Sequence, residues 1–214
     1  MRLINSYLES IITSLPWSAG HGSLPNSLGL GLIYYLIPYA FQAQTCVCLG
    51  SGGGFAPALM RQAQRDLSLL GSRTFLVDAI LTEAGFGGPD FEGGWLAEDS
   101  LFGKHFPEIT ILSCLTQEAA QIFFKKNPIL IDYLHVDADH SSEGVFNDVT
   151  LFLPLLKDRA LITFHDAALP AVQEGIRKAL GKMENPEKIT LPDIGAGLTV
   201  VRLGVNRPNT KGAM

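Results

Sequence analysis

The chain has 214 residues, 47% of them hydrophobic and 17% charged, enough to enclose the core of a single domain. Sixteen Lys and Arg stand against 21 Asp and Glu, a net charge of −5, and no basic stripe of the kind that grips a duplex is present. A mean hydropathy of +0.21 with so few charges also excludes a disordered chain.

Three cysteines cannot form a disulfide framework, and their odd number points to a reducing, cytoplasmic setting. Cys46 and Cys48 lack the second ligand pair of a structural zinc site and read as core filler. The first residues carry no unbroken apolar run for a signal peptide. Residues 28–41, the most apolar stretch, contain Gly29, Gly31 and Pro38 and fall short of the ~20 residues of a membrane span.

In chain order, Leu3, Ile4, Tyr7, Leu8, Ile11, Ile12 and Leu15 recur at helical spacing and predict a first helix ending near Pro16. A loop over 17–28 precedes a helix over 29–41, bent or broken at Pro38. Apolar strands are expected at 45–49, 74–77, 109–112, 131–136 and 160–164, with helices over 55–70, 117–125, from Ser141 or Ser142, and over 170–180. A Gly- and acid-rich segment, 82–107, suits a lid over an acceptor pocket. Two last strands, 188–191 and 198–203, are joined closely enough for an antiparallel hairpin. The alternation predicts an α/β fold: a doubly wound, Rossmann-like, mostly parallel seven-stranded sheet covered on both faces, its last strand antiparallel. Residues 1–44 read as a helical extension packed on the core, 45–204 as the α/β domain and 205–214 as a tail.

Gly50-Ser51-Gly52-Gly53-Gly54 lies between the first of these strands and the next helix, where backbone can approach a ligand. A P-loop would end in Gly-Lys-Ser/Thr, but here Gly54-Phe55-Ala56 follows. A dinucleotide fingerprint would need a glycine where Phe55 stands. Gly50-x-Gly52-x-Gly54 remains, with Asp78 closing the second strand, where a carboxylate can accept both ribose hydroxyls. Residues 45–203 thereby resemble the class I S-adenosylmethionine-dependent methyltransferases. By that resemblance Gly50, Ser51, Gly52, Gly54 and Asp78 bind the cofactor, while Cys48 stands where the family usually has an acid.

Asp137-Ala138-Asp139-His140 and His165-Asp166 follow the fourth and fifth strands, so both clusters face the crevice at the carboxyl ends of the sheet. Five titratable groups there are costly to bury for structure alone, and a divalent cation would neutralise the carboxylates. The pattern is similar to metal-dependent O-methyltransferases of the macrocin O-methyltransferase and cephalosporin-hydroxylase-like group. The resemblance implies Asp137, His165 and Asp166 as metal ligands, His140 as general base and Asp139 toward the cofactor. The ion would be Mg²⁺ or Mn²⁺, with the imidazole favouring Mn²⁺, Fe²⁺ or Zn²⁺ over Mg²⁺. Ser142 replaces the group's usual Tyr, and Asp158-Arg159 its usual Gly-Gly. His135 reads as core, His21 and His105 as loop residues without a signal, and Asp148 as a structural hydrogen-bond acceptor.

The expected activity is therefore methyl transfer to a hydroxyl of a small molecule, with no nucleic acid or membrane partner and self-association left open. A non-catalytic cofactor- or metal-binding relative stays a rival because of Cys48 and Ser142. A nicotinamide-dependent oxidoreductase is disfavoured by Phe55 and by the lack of an evident Tyr-x-x-x-Lys pair. A hydrolase whose metal activates water is a weaker third.

Overall fold

The structure is a computed structural model that describes residues 6–51, 53–79, 98–127 and 129–204. Its centre is a seven-stranded sheet in the order β3-β2-β1-β4-β5-β7-β6. The strands are β1 (Thr45–Leu49), β2 (Arg73–Val77), β3 (Thr110–Leu112), β4 (Ile131–Val136), β5 (Leu156–Phe164), β6 (Glu187–Leu191) and β7 (Leu198–Arg202). The first five pair in parallel, and β7 runs antiparallel to both β5 and β6.

Apolar side chains alternate between the two faces of β1, as the two-residue period of a strand requires. Cys46 and Cys48 face a core built with α1 (Ser6–Thr13), α2 (Ile33–Phe41) and α3 (Phe55–Asp66). Val47 and Leu49 face the opposite core, which includes α6 (Ser142–Phe152) and α7 (Pro170–Leu180). Both cysteines are fully buried, as filler should be. Two shorter helices precede α6: α4 (Leu101–His105) and α5 (Thr116–Glu118), the latter continuing as a π-turn over Ala119–Phe124.

Three local expectations need correction. A 3-10 turn at Gly29–Leu32 opens α2, which then runs through Pro38 unbroken to a left-handed Gln42. The helix after the glycine loop stops at Asp66, because Ser68 adopts a positive φ of 51° and turns the chain. Strand β5 begins at Leu156 rather than residue 160, and the extra length forms a bulge. Ile131 faces Leu156 while Tyr133 already faces Leu161, and Arg159 has a φ of 65°.

Of the segment expected to form a lid, residues 82–97 lie outside the described residues. The remainder contains α4, whose Phe102 and the following Phe106 are buried. Arg65 of α3 lies over the Phe106 ring and pairs with Glu108, so this end of the segment is anchored on α3. Among the described residues, no helix is long and apolar enough to cross a membrane.

Candidate active site

A cleft of about 1050 Å³ opens at the carboxyl ends of β1, β2, β4 and β5. Gly50, Ser51, Asp78, Asp137, Asp139, His140, His165 and Asp166 all line it, so seven sequence positions chosen from four strand ends share one space with Ser51. Gly54 caps α3 behind the loop, and Gly52 lies outside the described residues.

On the glycine side, the loop is fixed largely by main chain. Gly50 has a φ of +67°, and a Cβ there would sit 2.4 Å from the Asp137 carbonyl oxygen, so no other residue fits between β1 and β4. The Ser51 hydroxyl accepts the Gly54 N–H at 2.9 Å and turns the chain into α3. Where the family has an acid, the Cys48 thiol donates to the Gly50 carbonyl at 2.9 Å. Burial pushes that thiol's pKa well up, so it serves as a neutral donor. Phe55, where a dinucleotide fold keeps its third glycine, is fully buried in the core that Cys46 and Cys48 face. Its ring packs against Gly31, Tyr34 and His21 of the N-terminal segment.

The opposite side is built from side chains around Asp137. Its carboxylate is 6% exposed, with Oδ1 3.0 Å from His165 Nδ1 and 3.4 Å from His140 Nε2. Burial alone would raise its pKa, but the surrounding imidazoles, His165 foremost, hold it well below the usual carboxylate range. His165 is driven the other way. Burial opposes its charge, yet Asp137 and Asp166 lift it to about 9. His140, 45% exposed, reaches both Asp137 and Asp166 at 3.4 Å, and its hydrogen bond to Asp137 raises its pKa.

Asp166 sits at a φ of 51° with Oδ1 3.3 Å from His165 Nδ1. The N-cap of α7 is Leu169, so Asp166 does not cap that helix. Asp139 lines the cleft, but its Oδ1 accepts the Ser141 N–H at 2.8 Å and its carboxylate rests on Gly144. Ser141, not Ser142, caps α6 by accepting the Gly144 N–H. Asp148 accepts a hydrogen bond from Thr116 at 2.5 Å, and burial pushes its pKa up to about 6.

Two histidines assigned no role join this cluster. His21 arrives from the N-terminal segment, 3% exposed, with Nε2 3.0 Å from Asp137 Oδ2, and it stacks on His165 at 4.3 Å. His135 of β4 is fully buried, as expected of a core residue. Its Nδ1 meets Thr163 at 2.8 Å, but its Nε2 has no hydrogen-bond partner and points to within 3.9 Å of Asp137 Oδ2. Burial pushes its pKa down to about 3. No sequence signal marked His21, since its partner lies 116 residues away.

A methyltransferase-domain family model matches residues 47–167, more than half of the chain and all of the cluster except His21. No curated protein matches the sequence. Among solved structures the chain resembles an O-methyltransferase from Bacillus cereus in complex with SAH, at 15% identity and a TM-score of 0.65 over 94% of this chain and 91% of that one. It also resembles the O-methyltransferase TomG from Streptomyces achromogenes, involved in tomaymycin synthesis and in complex with SAM, at 15% identity and a TM-score of 0.63 over 94% and 91%. A third is a putative caffeoyl-CoA O-methyltransferase from Staphylococcus aureus, at 15% identity and a TM-score of 0.60 over 94% and 93%. With its seven-stranded class I sheet and this match, the chain belongs to the methyltransferase-domain family.

Proposed function

We propose that the protein is an S-adenosylmethionine-dependent O-methyltransferase whose acceptor is a small hydroxylated molecule and whose reaction is assisted by a divalent metal ion. The observation that carries this reading is the meeting of the glycine loop and Asp78 with the Asp137 cluster in one cleft of about 1050 Å³. That volume has room for a nucleoside cofactor and a small acceptor side by side. Solved structures of the same fold with SAH or SAM support the choice of cofactor.

Gly50, Ser51, Gly52 and Gly54 carry the methionine and ribose portions, and Asp78 accepts the ribose hydroxyls. Asp139, held on the N-terminus of α6, borders the cofactor side. The donor set of Asp137, His165 and Asp166 suits a divalent ion in its chemistry, two carboxylates and an imidazole, with His165 Nδ1 3.0 Å from an Asp137 oxygen and 3.3 Å from an Asp166 oxygen. Such an ion, when bound, makes an acceptor hydroxyl more acidic and fixes its position. The cofactor supplies a methyl group on a sulfonium, which leaves as the neutral thioether.

What the chain itself contributes is alignment and a proton acceptor. His140 lies at the open edge of the cluster, and with Nε2 turned to the carboxylates its Nδ1 is the ring nitrogen that can take the proton of an acceptor hydroxyl. Asp137 and Asp166 flank Nε2 and stabilise the imidazolium that results. Holding the two reactants in line accounts for much of the remaining acceleration.

The test is transfer of a labelled methyl group from S-adenosylmethionine to a panel of catechols, phenols and sugar hydroxyls, before and after chelation. Metal-dependent labelling of a hydroxylated small molecule is expected. Labelling of a protein or nucleic acid instead, or transfer indifferent to chelation, contradicts the reading.

A further inference from the structure

The two histidines flanking Asp137 are oriented alike, each by a main-chain carbonyl. His21 Nδ1 lies 3.1 Å from the Trp17 carbonyl oxygen, and His165 Nε2 lies 3.0 Å from the Gly20 carbonyl oxygen. A carbonyl only accepts, so each of these ring nitrogens carries a hydrogen and donates it. In the neutral imidazoles the remaining nitrogens, His21 Nε2 and His165 Nδ1, then present lone pairs. Both point at Asp137, one at each carboxylate oxygen, at 3.0 Å. A proton or a metal ion must therefore lie between each of these nitrogens and the carboxylate, and the same ring orientation serves either occupant. A third nitrogen, the buried and unpartnered His135 Nε2, is aimed at the same carboxylate.

Donation of the distal N–H to a main-chain carbonyl is how a protein orients a metal-ligating histidine. The ligand atoms of His21, Asp137 and His165 all lie within 4.8 Å of one another. Two ligand atoms each about 2.0–2.1 Å from one ion sit about 3.0–3.4 Å apart, which the two nitrogen–oxygen distances at Asp137 match. The main chain around His21 is also clamped. The β6–β7 connection passes so closely over Gly20 that a Cβ at Gly195 would meet the Gly20 carbonyl oxygen, at a φ of +55° that glycine adopts freely.

The geometry points to His21 of the N-terminal segment as a direct ligand, beside Asp137 and His165, of a divalent first-row transition ion in the same centre. This rests on the reading that the cleft holds a metal, and it adds a ligand and a choice of ion. Two imidazoles favour Zn²⁺, Fe²⁺, Co²⁺ or Mn²⁺ over Mg²⁺, which prefers oxygen. It also makes the ion a staple, joining residues 17–21 to the ends of β4 and β5, so that the acceptor side of the cleft is complete only when the metal is bound.

Co²⁺ is the probe, titrated into the chelator-stripped full chain and followed by visible absorption and calorimetry, with Mg²⁺ in parallel. The wild type should bind Co²⁺ far more tightly than Mg²⁺. His21→Ala should weaken Co²⁺ binding by at least about 100-fold, beyond the ~10–100-fold that loss of an outer-shell partner costs. It should also erase most of the preference over Mg²⁺. Unchanged Co²⁺ affinity in a folded His21→Ala protein overturns the ligand assignment while leaving a metal at Asp137, His165 and Asp166 intact. Failure of the wild type to bind any divalent ion overturns both. The wild type alone gives a second test that does not depend on the variant folding. Proton NMR of the Co²⁺ form should show two strongly shifted, slowly exchanging imidazole N–H signals, from His21 and His165. A single such signal overturns the proposal.

Discussion

The two sides of the cleft are made differently. On the β1–β2 side the shape comes from main chain over a short stretch, with Gly50, Ser51 and Gly54 turning into α3 and Asp78 closing the next strand. On the β4–β5 side it comes from ionisable side chains gathered across the fold, with His21 and Asp137 separated by 116 residues and His165 and Gly20 by 145. The first side is held by turn geometry. The second is held by mutual charge, so its strength depends on what occupies it, proton or metal. Under the proposed function, the first side binds the cofactor and the second activates the acceptor, and the two should be separable by mutation.

Asp137→Ala should give the largest effect, because three imidazoles contact this carboxylate within 3.4 Å. Turnover should fall at least about 10³-fold with loss of metal binding, whereas S-adenosylhomocysteine affinity changes little. Parallel loss of both affinities in calorimetry would break the division between the sides. His140→Ala should reduce kcat by about 10²–10³-fold, with cofactor and metal affinities retained. Equal losses in kcat and in cofactor binding would remove it from the role of base.

Asp78→Ala tests the other side. It should weaken S-adenosylhomocysteine binding by about 10²-fold, in keeping with two lost hydrogen bonds to a charged group, and leave the metal titration as in wild type. Asp148→Asn should have the smallest effect on either ligand and act on stability. The carboxyl pKa of Asp148 is raised by burial to about 6, above its ordinary value of 3.8. Its stabilising contribution is therefore full below about pH 4 and is lost as pH rises through 6, at most about 3 kcal/mol. Thermal melts should show the Asn variant gaining on wild type at pH 8 relative to pH 4.5. A pH-independent difference would place the cost of Asp148 elsewhere.

Much of the frame was legible because it is written locally. Runs such as Thr45–Leu49 and Ile131–Val136 are apolar throughout, and the glycine run and the close link between β6 and β7 signal their own turns. The Asp137, His140, His165 and Asp166 cluster was legible because strand ends in a doubly wound sheet share one edge. What failed did so for physical reasons. Pro38 reads as a bend or a break in α2, and it does not break it: the helix runs through the buried proline. The true start of β5 at Leu156 is hidden in the sequence, because the bulge near Arg159 has no apolar alternation to mark it. His21, a lone histidine among glycines and serines, acquires meaning only when packing brings it onto Asp137. His135 reads as core and is core, yet its free nitrogen faces the site, a fact of register with Cys48 that periodicity cannot express.

The most direct test of the account is a calorimetric titration of S-adenosylhomocysteine into chelator-stripped protein, with NADH as control and repeated after addition of a divalent ion. The account predicts single-site binding of S-adenosylhomocysteine without metal, no heat from NADH, and a separate metal heat that Asp78→Ala leaves unchanged. Absence of S-adenosylhomocysteine binding by folded protein, with or without metal, would contradict it and turn attention to Cys48, the thiol that stands in place of an acid beneath the glycine loop.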